Sequence, residues 1–406
     1  MRKIDPEDFQ RATRNTAREI NRQIVLSLIR EYQPLSRADL ARRMGVARGT
    51  VGPIVEELLA EDVIYERASK QTRRGRKPML LFVRERDRLV AAVDVRLSQT
   101  QIMLTDFAGR EIALERIRTP ATTPEGLTRE LVARVSRMCD DHMEVGTCEG
   151  IGVVVPGMVQ RETGRVLYAP TLGWRDVDLV GPLSDGLGIP VHIERDAVAC
   201  ALAHLWLSPV GDPPDGFVYV TVSDGVGAGL IVNGQVVRGS RDTAGEIGHV
   251  ALSQDGPVCH CGQRGCLEAY ASNPATVARY LGVDLSDEKA LAGLRERGLS
   301  VRLVIDRARA RDAAAQEALT ATGRYLGMGL SVLINTLNPG QIILAGAIME
   351  AWDLVGPSVL RVVRERALTN EAGATPIVPE TTDERTRLRG ATALVVAPTF
   401  AAPVVG

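Results

Sequence analysis

The sequence predicts an N-terminal α+β domain followed by a larger α/β region of two lobes. Three observations lead to this prediction. The chain has 406 residues, of which 45% are hydrophobic, so it can bury two or three separate cores. Residues 1–86 read as helices followed by a hairpin, whereas strands and helices alternate from Leu89 onward. The second half of the α/β region also repeats the order of elements of the first, which indicates a structural duplication.

A helix-turn-helix pattern lies near the start of the chain. An amphipathic helix is predicted over Thr16–Arg30. Its predicted apolar stripe consists of Ala17, Ile20, Ile24 and Leu28. Ser36 can cap a short helix that ends at Met44, and Gly45 is placed to make a tight turn into a second helix over Ala47–Ala60. This spacing is typical of domains that place their second helix in the major groove of DNA, and an ordinary helical hairpin is the alternative.

The polar residues of this pattern suit contact with duplex DNA. Side chains at the start of the second helix would lie near base edges, and cations of the preceding helix near phosphates. The predicted contacts are Arg48 and Thr50 with bases, and Arg42 and Arg43 with phosphates. Gly52-Pro53 lowers helix propensity by about 1 kcal/mol for Gly and about 3 kcal/mol for Pro, which predicts a bent or shortened recognition helix.

A basic hairpin follows and predicts a wing. Strands at residues 63–67 and 80–83 flank a tip whose cations are Arg73, Arg74, Arg76 and Lys77. Residues 1–84 hold 18 Lys and Arg against 11 Asp and Glu, whereas the rest of the chain holds 31 against 39. The excess of positive charge at the N-terminus is the distribution expected when one domain binds nucleic acid and the other has a separate function.

The α/β region is predicted in outline. A loop-rich stretch covers residues 156–190, Asn233-Gly234 reads as a hairpin turn, and residues 209–216 read as a break between lobes. The predicted strands are residues 90–95, 101–106, 112–117, 150–155, 190–193, 217–223, 228–232 and 341–344, and the predicted helices are 125–144, 196–207 and a long helical stretch within 300–337.

A cluster of cysteines predicts a bound metal. His249 is followed by Cys259, Cys261 and Cys266, a set of three thiols and one imidazole of the kind that structural Zn²⁺ prefers. His260 stands between two of these ligands and is not expected to bind the same ion. Since the chain shows neither a signal-peptide core nor an apolar run of about 20 residues, we expect a cytoplasmic protein with no membrane contact and with thiols rather than disulfides.

Several motifs together resemble the ROK family (repressors, open reading frames and kinases) in its regulator branch. The most specific are Ala244-Gly-Glu-Ile-Gly-His249 and the run from Cys259 through Cys266-Leu-Glu268, supported by Ser223-Asp-Gly-Val-Gly-Ala-Gly229 and Glu194-Arg-Asp-Ala197. The resemblance covers essentially the whole chain. It implies a fold like those of actin and hexokinase, in which a sugar lies in a cleft between two lobes.

The resemblance also implies roles for single residues. Glu246, His249 and Glu268 would bind sugar hydroxyls, with His249 holding zinc through its other ring nitrogen. Asp196 corresponds to the base of the family's kinases. Gly225, Gly227 and Gly229 fall on a turn that cradles phosphate, and Gly346 falls near the adenosine pocket.

One departure from the family pattern decides between regulator and kinase. Family kinases follow the first-strand aspartate with glycines, whereas here Asp94 is followed by Val95-Arg-Leu-Ser-Gln-Thr100. These side chains block the close approach of backbone amides that phosphoryl transfer needs. We therefore expect a sugar-responsive DNA-binding regulator, with Asp196 left as a vestigial base. The alternative is an active ATP-dependent sugar kinase with an attached DNA-binding domain.

A second departure concerns the effector. Arg195 stands where the family usually has asparagine, and Thr171 stands where it often has asparagine. Arg195 either pairs with Glu194 or another local acid, or it binds a carboxylate or phosphate of the effector.

The expected domains are a winged helix-turn-helix at residues 1–86, a first lobe at 87–208 completed by a C-terminal helix at about 388–403, and a second lobe at 209–387. The expected partners are a double-stranded DNA operator, a small sugar or sugar derivative, and a second copy of the chain, as a homodimer or a dimer of dimers.

Overall fold

A computed structural model describes residues 14–69, 78–119, 123–207, 214–285, 299–381 and 384–401. The N-terminal domain contains α1 (Arg14–Tyr32), α2 (Arg37–Met44), α3 (Arg48–Ala60), β1 (Ile64–Ala68) and β2 (Met79–Val83). The two strands pair antiparallel, as predicted for the hairpin. Ser36 and Asp39 form a complete capping box at the start of α2, and Gly45 ends that helix with φ 66°. The predicted helix-turn-helix is therefore confirmed.

The buried face of α1 differs from the prediction. Val25, Leu26 and Ile29 are fully buried, whereas Ile24 is 41% exposed. Of the predicted stripe, Leu28 packs against the domain core. The rest of the stripe was wrong because the neighbouring elements mainly cover the C-terminal half of α1, on the face next to that stripe. Hydrophobic spacing identified the helix but not the side on which its neighbours pack.

Helix α3 is continuous across Gly52-Pro53. It begins at Arg48, preceded by Ala47, whose side chain makes no capping hydrogen bond, and it ends at Ala60. Pro53 supplies no amide hydrogen to the carbonyl of Gly49. The apolar side chains of α3 are nevertheless buried in the domain core, so the predicted shortening does not occur.

The first lobe is built on a five-stranded sheet in the order β10-β6-β3-β4-β5. Strands β3, β6 and β10 run parallel, and β3, β4 and β5 form the predicted antiparallel meander. The bounds are β3 (Arg88–Val95), β4 (Gln99–Asp106), β5 (Glu111–Arg118), α4 (Pro124–Asp140), β6 (Thr147–Val155), β10 (Val191–Arg195) and α6 (Asp196–Leu207).

Residues 156–190 were predicted to be rich in loops, but they form a small antiparallel sheet followed by a helix. Its elements are β7 (Met158–Gln160), β8 (Arg165–Ala169), β9 (Trp174–Asp178) and α5 (Val180–Leu187). The prediction was wrong because the glycines and prolines at the turns indicated loops, and the three strands between them are too short to show a clear alternating pattern. These strands gain their stability by packing Val166 and Trp174 into the core of the lobe.

The second lobe repeats the topology of the first. Its sheet has the order β13-β12-β11-β14-β15, with an antiparallel meander on one side and two parallel strands on the other. The predicted turn at Asn233-Gly234 is confirmed by φ values of 53° and 68°. The bounds are β11 (Phe217–Val222), β12 (Val226–Val232), β13 (Gln235–Val236), α7 (Leu267–Ala271), α8 (Asn273–Leu281), α9 (Val301–Arg309), α10 (Ala313–Leu337), β14 (Gln341–Ala345), α11 (Trp352–Arg366), α12 (Asn370–Gly373) and β15 (Ile377–Glu380).

The last helix, α13 (Glu384–Phe400), returns to the first lobe and packs on β3 and β6. Its contact with the sheet and with α6 is close at two glycines. A Cβ at Gly152 would overlap the carbonyl of Ala391, and a Cβ at Gly390 would overlap the carbonyl of Ala199. Helices α6 and α13 therefore form one packed pair. Among the described residues, no helix is both long and apolar enough to span a bilayer.

Candidate functional site

The structure brings the predicted metal ligands together. The ligand atoms of His249, Cys259, Cys261 and Cys266 all lie within 4.8 Å of one another. Cys259 Sγ is 3.7 Å from His249 Nδ1, and Cys261 Sγ is 3.7 Å from Cys266 Sγ. His260, which was not expected to bind, is exposed and is not part of this group.

These spacings fit a tetrahedral metal site. With Zn–S bonds of about 2.3 Å, neighbouring sulfur atoms of a tetrahedron lie about 3.8 Å apart. Burial raises the pKa of the Cys259 and Cys266 thiols, so without a cation these groups stay protonated. A divalent ion would replace those protons and favour the thiolates. The group can therefore hold a metal ion, with His249 Nε2 left for another partner.

Glu268 lies beside the metal ligands at the second position of α7. One carboxylate oxygen lies 3.6 Å from Cys259 Sγ, and the other accepts a hydrogen bond from the backbone N–H of Val226 at 3.0 Å. A Cβ at Gly225 would stand 2.6 Å from this second oxygen. In this structure Gly225 thus provides the space in which the carboxylate of Glu268 reaches β12.

Arg195 and Glu246, both predicted as ligand-binding residues, form an ion pair with each other. The other terminal nitrogen of Arg195 donates to the carbonyl of Ala244, and its backbone N–H donates to Glu194 at 3.0 Å. Arg195 is 6% exposed, so its charge is almost fully withdrawn from solvent. Of the two alternatives for Arg195, pairing with a local acid is the arrangement present here.

The pKa of the Glu246 carboxyl is raised above its ordinary value. Burial is the largest cause, and it outweighs the charges of Arg195 and His249, which act in the opposite direction. Glu194, which precedes Arg195 in β10, forms its own ion pair with Arg238. Two arginines thus neutralise two acids where β10 meets the second lobe.

A second charged group surrounds Asp94 at the end of β3. Asp94 is fully buried and accepts from Arg96 Nε at 2.6 Å, and Arg387 Nε approaches its other oxygen at 2.9 Å. Arg387, in the first turn of α13, also lies 3.6 Å from the carboxylate of Asp196. Burial alone would lower the pKa of Arg387, but the charges of Asp94 and Asp196 outweigh it and raise that pKa. The guanidinium group therefore stays charged between two acids.

Two of the predicted glycines, Gly229 of the phosphate turn and Gly346 of the adenosine pocket, allow close packing in this structure. Gly229 lies in β12, and a Cβ there would stand 2.7 Å from the Cβ of Ala201 in α6. Gly346 follows β14 with φ 148°, and a Cβ there would overlap the carbonyl of Val222. Gly227 also lies in β12, at ordinary contact distance from Ala197.

The predicted DNA contacts at the helix-turn-helix are all accessible. Arg42, Arg43, Arg48 and Thr50 are exposed. Arg43 stacks on the ring of Tyr32 at 3.9 Å, and Arg42 pairs with Asp39 at 3.0 Å. The predicted wing contacts Arg73, Arg74, Arg76 and Lys77 lie outside the described residues.

The ROK family profile matches residues 90–397. This chain belongs to the ROK family. It is 28% identical to the xylose repressor of Bacillus subtilis (strain 168), over 95% of this chain and 97% of that protein. It is 29% identical to the DNA-binding transcriptional dual regulator NagC of Escherichia coli (strain K12), over 93% of this chain and 92% of that protein.

Solved structures show the same fold. A ROK family transcriptional regulator, described as a homologue of the E. coli MLC protein, matches with a TM-score of 0.81 at 24% identity, over 95% of this chain and 97% of that one. A ROK family glucokinase from Streptomyces griseus, in complex with glucose and AMPPNP, matches with a TM-score of 0.63 at 26% identity, over 75% of this chain and 98% of that one. The regulator match includes the N-terminal domain, and the ROK part has the actin- and hexokinase-like fold.

Sequence reasoning missed Arg387. It follows Asp94 by almost three hundred positions, in a helix whose local pattern carries no catalytic or ligand-binding signal. Only the return of α13 to the first sheet places its guanidinium group between Asp94 and Asp196.

Proposed function

We propose that this protein is a sugar-responsive, DNA-binding transcriptional regulator, acting as a repressor of carbohydrate-related genes. One observation carries the proposal: a helix-turn-helix with an accessible α3 is joined to a ROK fold in which two arginines pair with Asp94. The two relatives, one named a xylose repressor and the other a DNA-binding transcriptional dual regulator, match over both parts of the chain, which supports the same division of work here.

The arginines around Asp94 support a sensor rather than a kinase. In-line phosphoryl transfer needs space for phosphates and their metal ion, together with a carboxylate free to accept a proton. Arg96 and Arg387 bring two fixed positive charges to Asp94, and Arg387 also approaches Asp196. Asp196 can then accept a hydrogen bond from a sugar hydroxyl without acting as a base.

The alternative, an active ATP-dependent sugar kinase, rests on the retention of Asp196. Incubating the protein with ATP and a panel of sugars separates the two functions. We expect no phosphorylated sugar above a no-enzyme background. Turnover at about 1 s⁻¹ or faster, within the usual range of kinases, would overturn the proposed role as a sensor.

At the sugar end, we propose Glu246, His249 and Glu268 as ligands of the effector, with Asp196 beside them. The metal is proposed to be a structural Zn²⁺ held by His249, Cys259, Cys261 and Cys266. Bound zinc would fix the tautomer of His249 and leave its second nitrogen as a hydrogen-bond donor. Because Arg195 is paired with Glu246, we propose a neutral sugar as the effector.

At the DNA end, we propose that α3 enters the major groove, with Arg48 and Thr50 at base edges and Arg42 and Arg43 near phosphates. The wing residues 73, 74, 76 and 77 would add contacts to the minor groove or to phosphates. A homodimer would present two such helices to two half-sites. The proposed domains are residues 1–86, 87–208 with the C-terminal helix, and 209–387.

The test is footprinting of the purified protein on fragments of its own genome, with and without D-xylose or N-acetylglucosamine, the sugars in the names of related repressors. We expect protected sites whose occupancy one of these sugars changes. Arg48→Ala should weaken binding by about 1–3 kcal/mol at those sites. Arg361→Ala, an exposed arginine of α11 paired with Glu365, is the matched control and should bind like the wild type. A protein that protects no site under any condition would refute the proposed function.

A further inference from the structure

Two helices lead from the residues at the base of the sugar site to the DNA-binding domain. Helix α6 begins at Asp196 and ends at Leu207, and α13 carries Arg387 in its first turn and ends at Phe400. At 1.5 Å per residue, they are about 18 Å and about 26 Å long. Because Arg387 approaches Asp196, the two helices are also linked to each other at this end.

At their other end, both helices contact one residue of the DNA-binding domain, Arg30 of α1. Its guanidinium group donates to the backbone carbonyl of Trp206 at 2.8 Å and lies 5.5 Å from the centre of that indole ring. The same group lies 4.4 Å from the centre of the Phe400 ring. Ser27, one turn earlier in α1, donates to the carbonyl of Phe400 at 3.2 Å.

This junction is part of a continuous hydrophobic core rather than a flexible tether. Val25, Leu26 and Ile29 of α1 belong to one buried cluster with Val396 and Phe400 of α13. The same cluster contains the buried side chains of α3, the proposed recognition helix. A close-packed core transmits displacement because it cannot deform without loss of contacts.

We infer that Arg30 is the residue that couples the state of the sugar site to the orientation of the DNA-binding domain, through α6 and α13. This inference rests on the proposed function and specifies how that function is regulated. A sugar hydroxyl at Asp196 competes with Arg387 for the carboxylate, so occupancy changes the contact that joins the starts of both helices. Arg30 contacts the far ends of both helices, so a shift of either helix changes its contacts. Its role is to position α1 rather than to touch sugar or DNA.

The first experiment needs neither sugar nor operator. Asp196→Asn weakens the contact with Arg387 while it keeps the shape of the side chain. In the full chain we expect this substitution to speed hydrogen–deuterium exchange of the amides of residues 25–32 by about threefold, as a local loss of stability does. In an Arg30→Met background, Asp196→Asn should no longer change exchange in that segment.

Arg18→Met is the matched control. Arg18 lies on the same helix and pairs with Glu57 of α3, within the DNA-binding domain. In this background Asp196→Asn should still speed exchange in residues 25–32. Phe400→Leu, which removes the ring beneath Arg30 but keeps an apolar side chain, should act like Arg30→Met and covers the case in which that variant does not fold. If Asp196→Asn leaves residues 25–32 unchanged in the wild-type chain, the inference is wrong.

The second experiment measures the coupling itself. For D-xylose or N-acetylglucosamine, whichever affects DNA binding, the ratio of DNA dissociation constants with and without sugar gives the coupling factor, which we expect to be at least about fivefold in the wild type. Arg30→Met should bring this ratio to within about twofold of one, while Arg18→Met keeps it. A coupling that persists in both Arg30→Met and Phe400→Leu overturns the inference and leaves the proposed function intact. Absence of any sugar effect in the wild type would instead count against the proposed function, and the exchange experiment would still decide the coupling.

Discussion

The two ends of the proposed sugar site differ in how their charged residues are used. At the sugar end, Glu268 is held by a backbone N–H and lies beside a group of thiols that can bind a metal. At the end near Asp94, the acids are neutralised by Arg96 and Arg387. The carboxylate of Glu268 is thus held without an arginine, whereas Asp94 is paired with two arginines. If the proposed assignment is right, this ROK domain has kept residues that bind a sugar, while Arg96 and the distant Arg387 occupy the surroundings of Asp94.

Loss of the metal should have the largest effect and should fall on the sugar end alone. Cys266→Ser removes a buried thiol from the four proposed ligands, so we expect metal content by mass spectrometry to fall from about one ion per chain to almost none. Sugar affinity, measured by calorimetry, should fall by at least about tenfold, because His249 loses the bond that orients it.

Cys139→Ser is the control, since Cys139 is a half-buried thiol outside the metal group. It should keep both the metal and the sugar affinity. If Cys266→Ser keeps a full complement of metal, the proposed ligand set is wrong.

The opposite end should respond to Arg387→Ala. This change leaves the fully buried Asp94 with Arg96 as its remaining ion-pair partner among the residues described above, so we expect the free energy of unfolding to fall by about 3 kcal/mol. Urea denaturation measures the loss. Arg385→Ala, two residues earlier on the same helix and paired with Glu111 at an exposed position, should cost less than about 1 kcal/mol.

A double substitution sharpens this test. Asp94→Asn combined with Arg387→Ala should be less destabilising than the sum of the two single changes. Each single change leaves a buried charge without this ion-pair partner, whereas the double change removes both charges of the pair. Strict additivity would show that Asp94 and Arg387 do not stabilise each other.

Much of this arrangement could be predicted from the sequence, but the sugar end was predicted better than the end near Asp94. The metal ligands lie within eighteen residues, so their spacing alone predicted the group, and the helix-turn-helix followed from local caps and a turn glycine. The partners of Asp94 could not be predicted in the same way. Arg387 reaches it only through the topology of the sheet and the return of α13, and neither leaves a local pattern.

The same distinction explains the errors in the N-terminal half. Periodicity predicted α1 but not its buried face, because that face is chosen by α3, β2 and α13. The short strands between residues 156 and 190 were missed because each is stabilised by pairing and by core contacts rather than by its own sequence.

A smaller effect is expected at Glu380, the last residue of β15. Burial alone would raise the pKa of this carboxyl, but the hydrogen bond and charge of His204 and the hydroxyls of Tyr219 and Thr386 outweigh it and hold the pKa below its usual value. The carboxylate therefore stabilises the fold above about pH 4.5, and this contribution is lost as the pH falls through the lowered pKa.

Glu380→Gln should reduce the free energy of unfolding by about 2 kcal/mol at pH 7. Its stability should also depend less steeply on pH below 4.5 than that of the wild type, as urea midpoints at several pH values would show. Glu365→Gln, an exposed partner of Arg361, is the control and should change neither quantity. Parallel pH profiles for Glu380→Gln and the wild type would contradict this assignment.

The smallest effect is expected where the two ends meet, at Arg195. Its ion pair with Glu246 occupies one carboxylate of the sugar end, so here the sugar end resembles the end near Asp94. Arg195→Asn, which restores the residue usual in the family, should free Glu246 and tighten binding of a neutral sugar by about fivefold, or about 1 kcal/mol. Arg238→Asn, which removes the partner of the adjacent Glu194, is the control and should leave that affinity within about twofold of the wild type.

Calorimetry with neutral, acidic and phosphorylated forms of one sugar measures the affinities of both variants. If the acidic or phosphorylated form binds the wild type more tightly, and Arg195→Asn abolishes that preference, then Arg195 binds the charged group of the effector directly. Its ion pair with Glu246 would then describe only the protein without a bound effector.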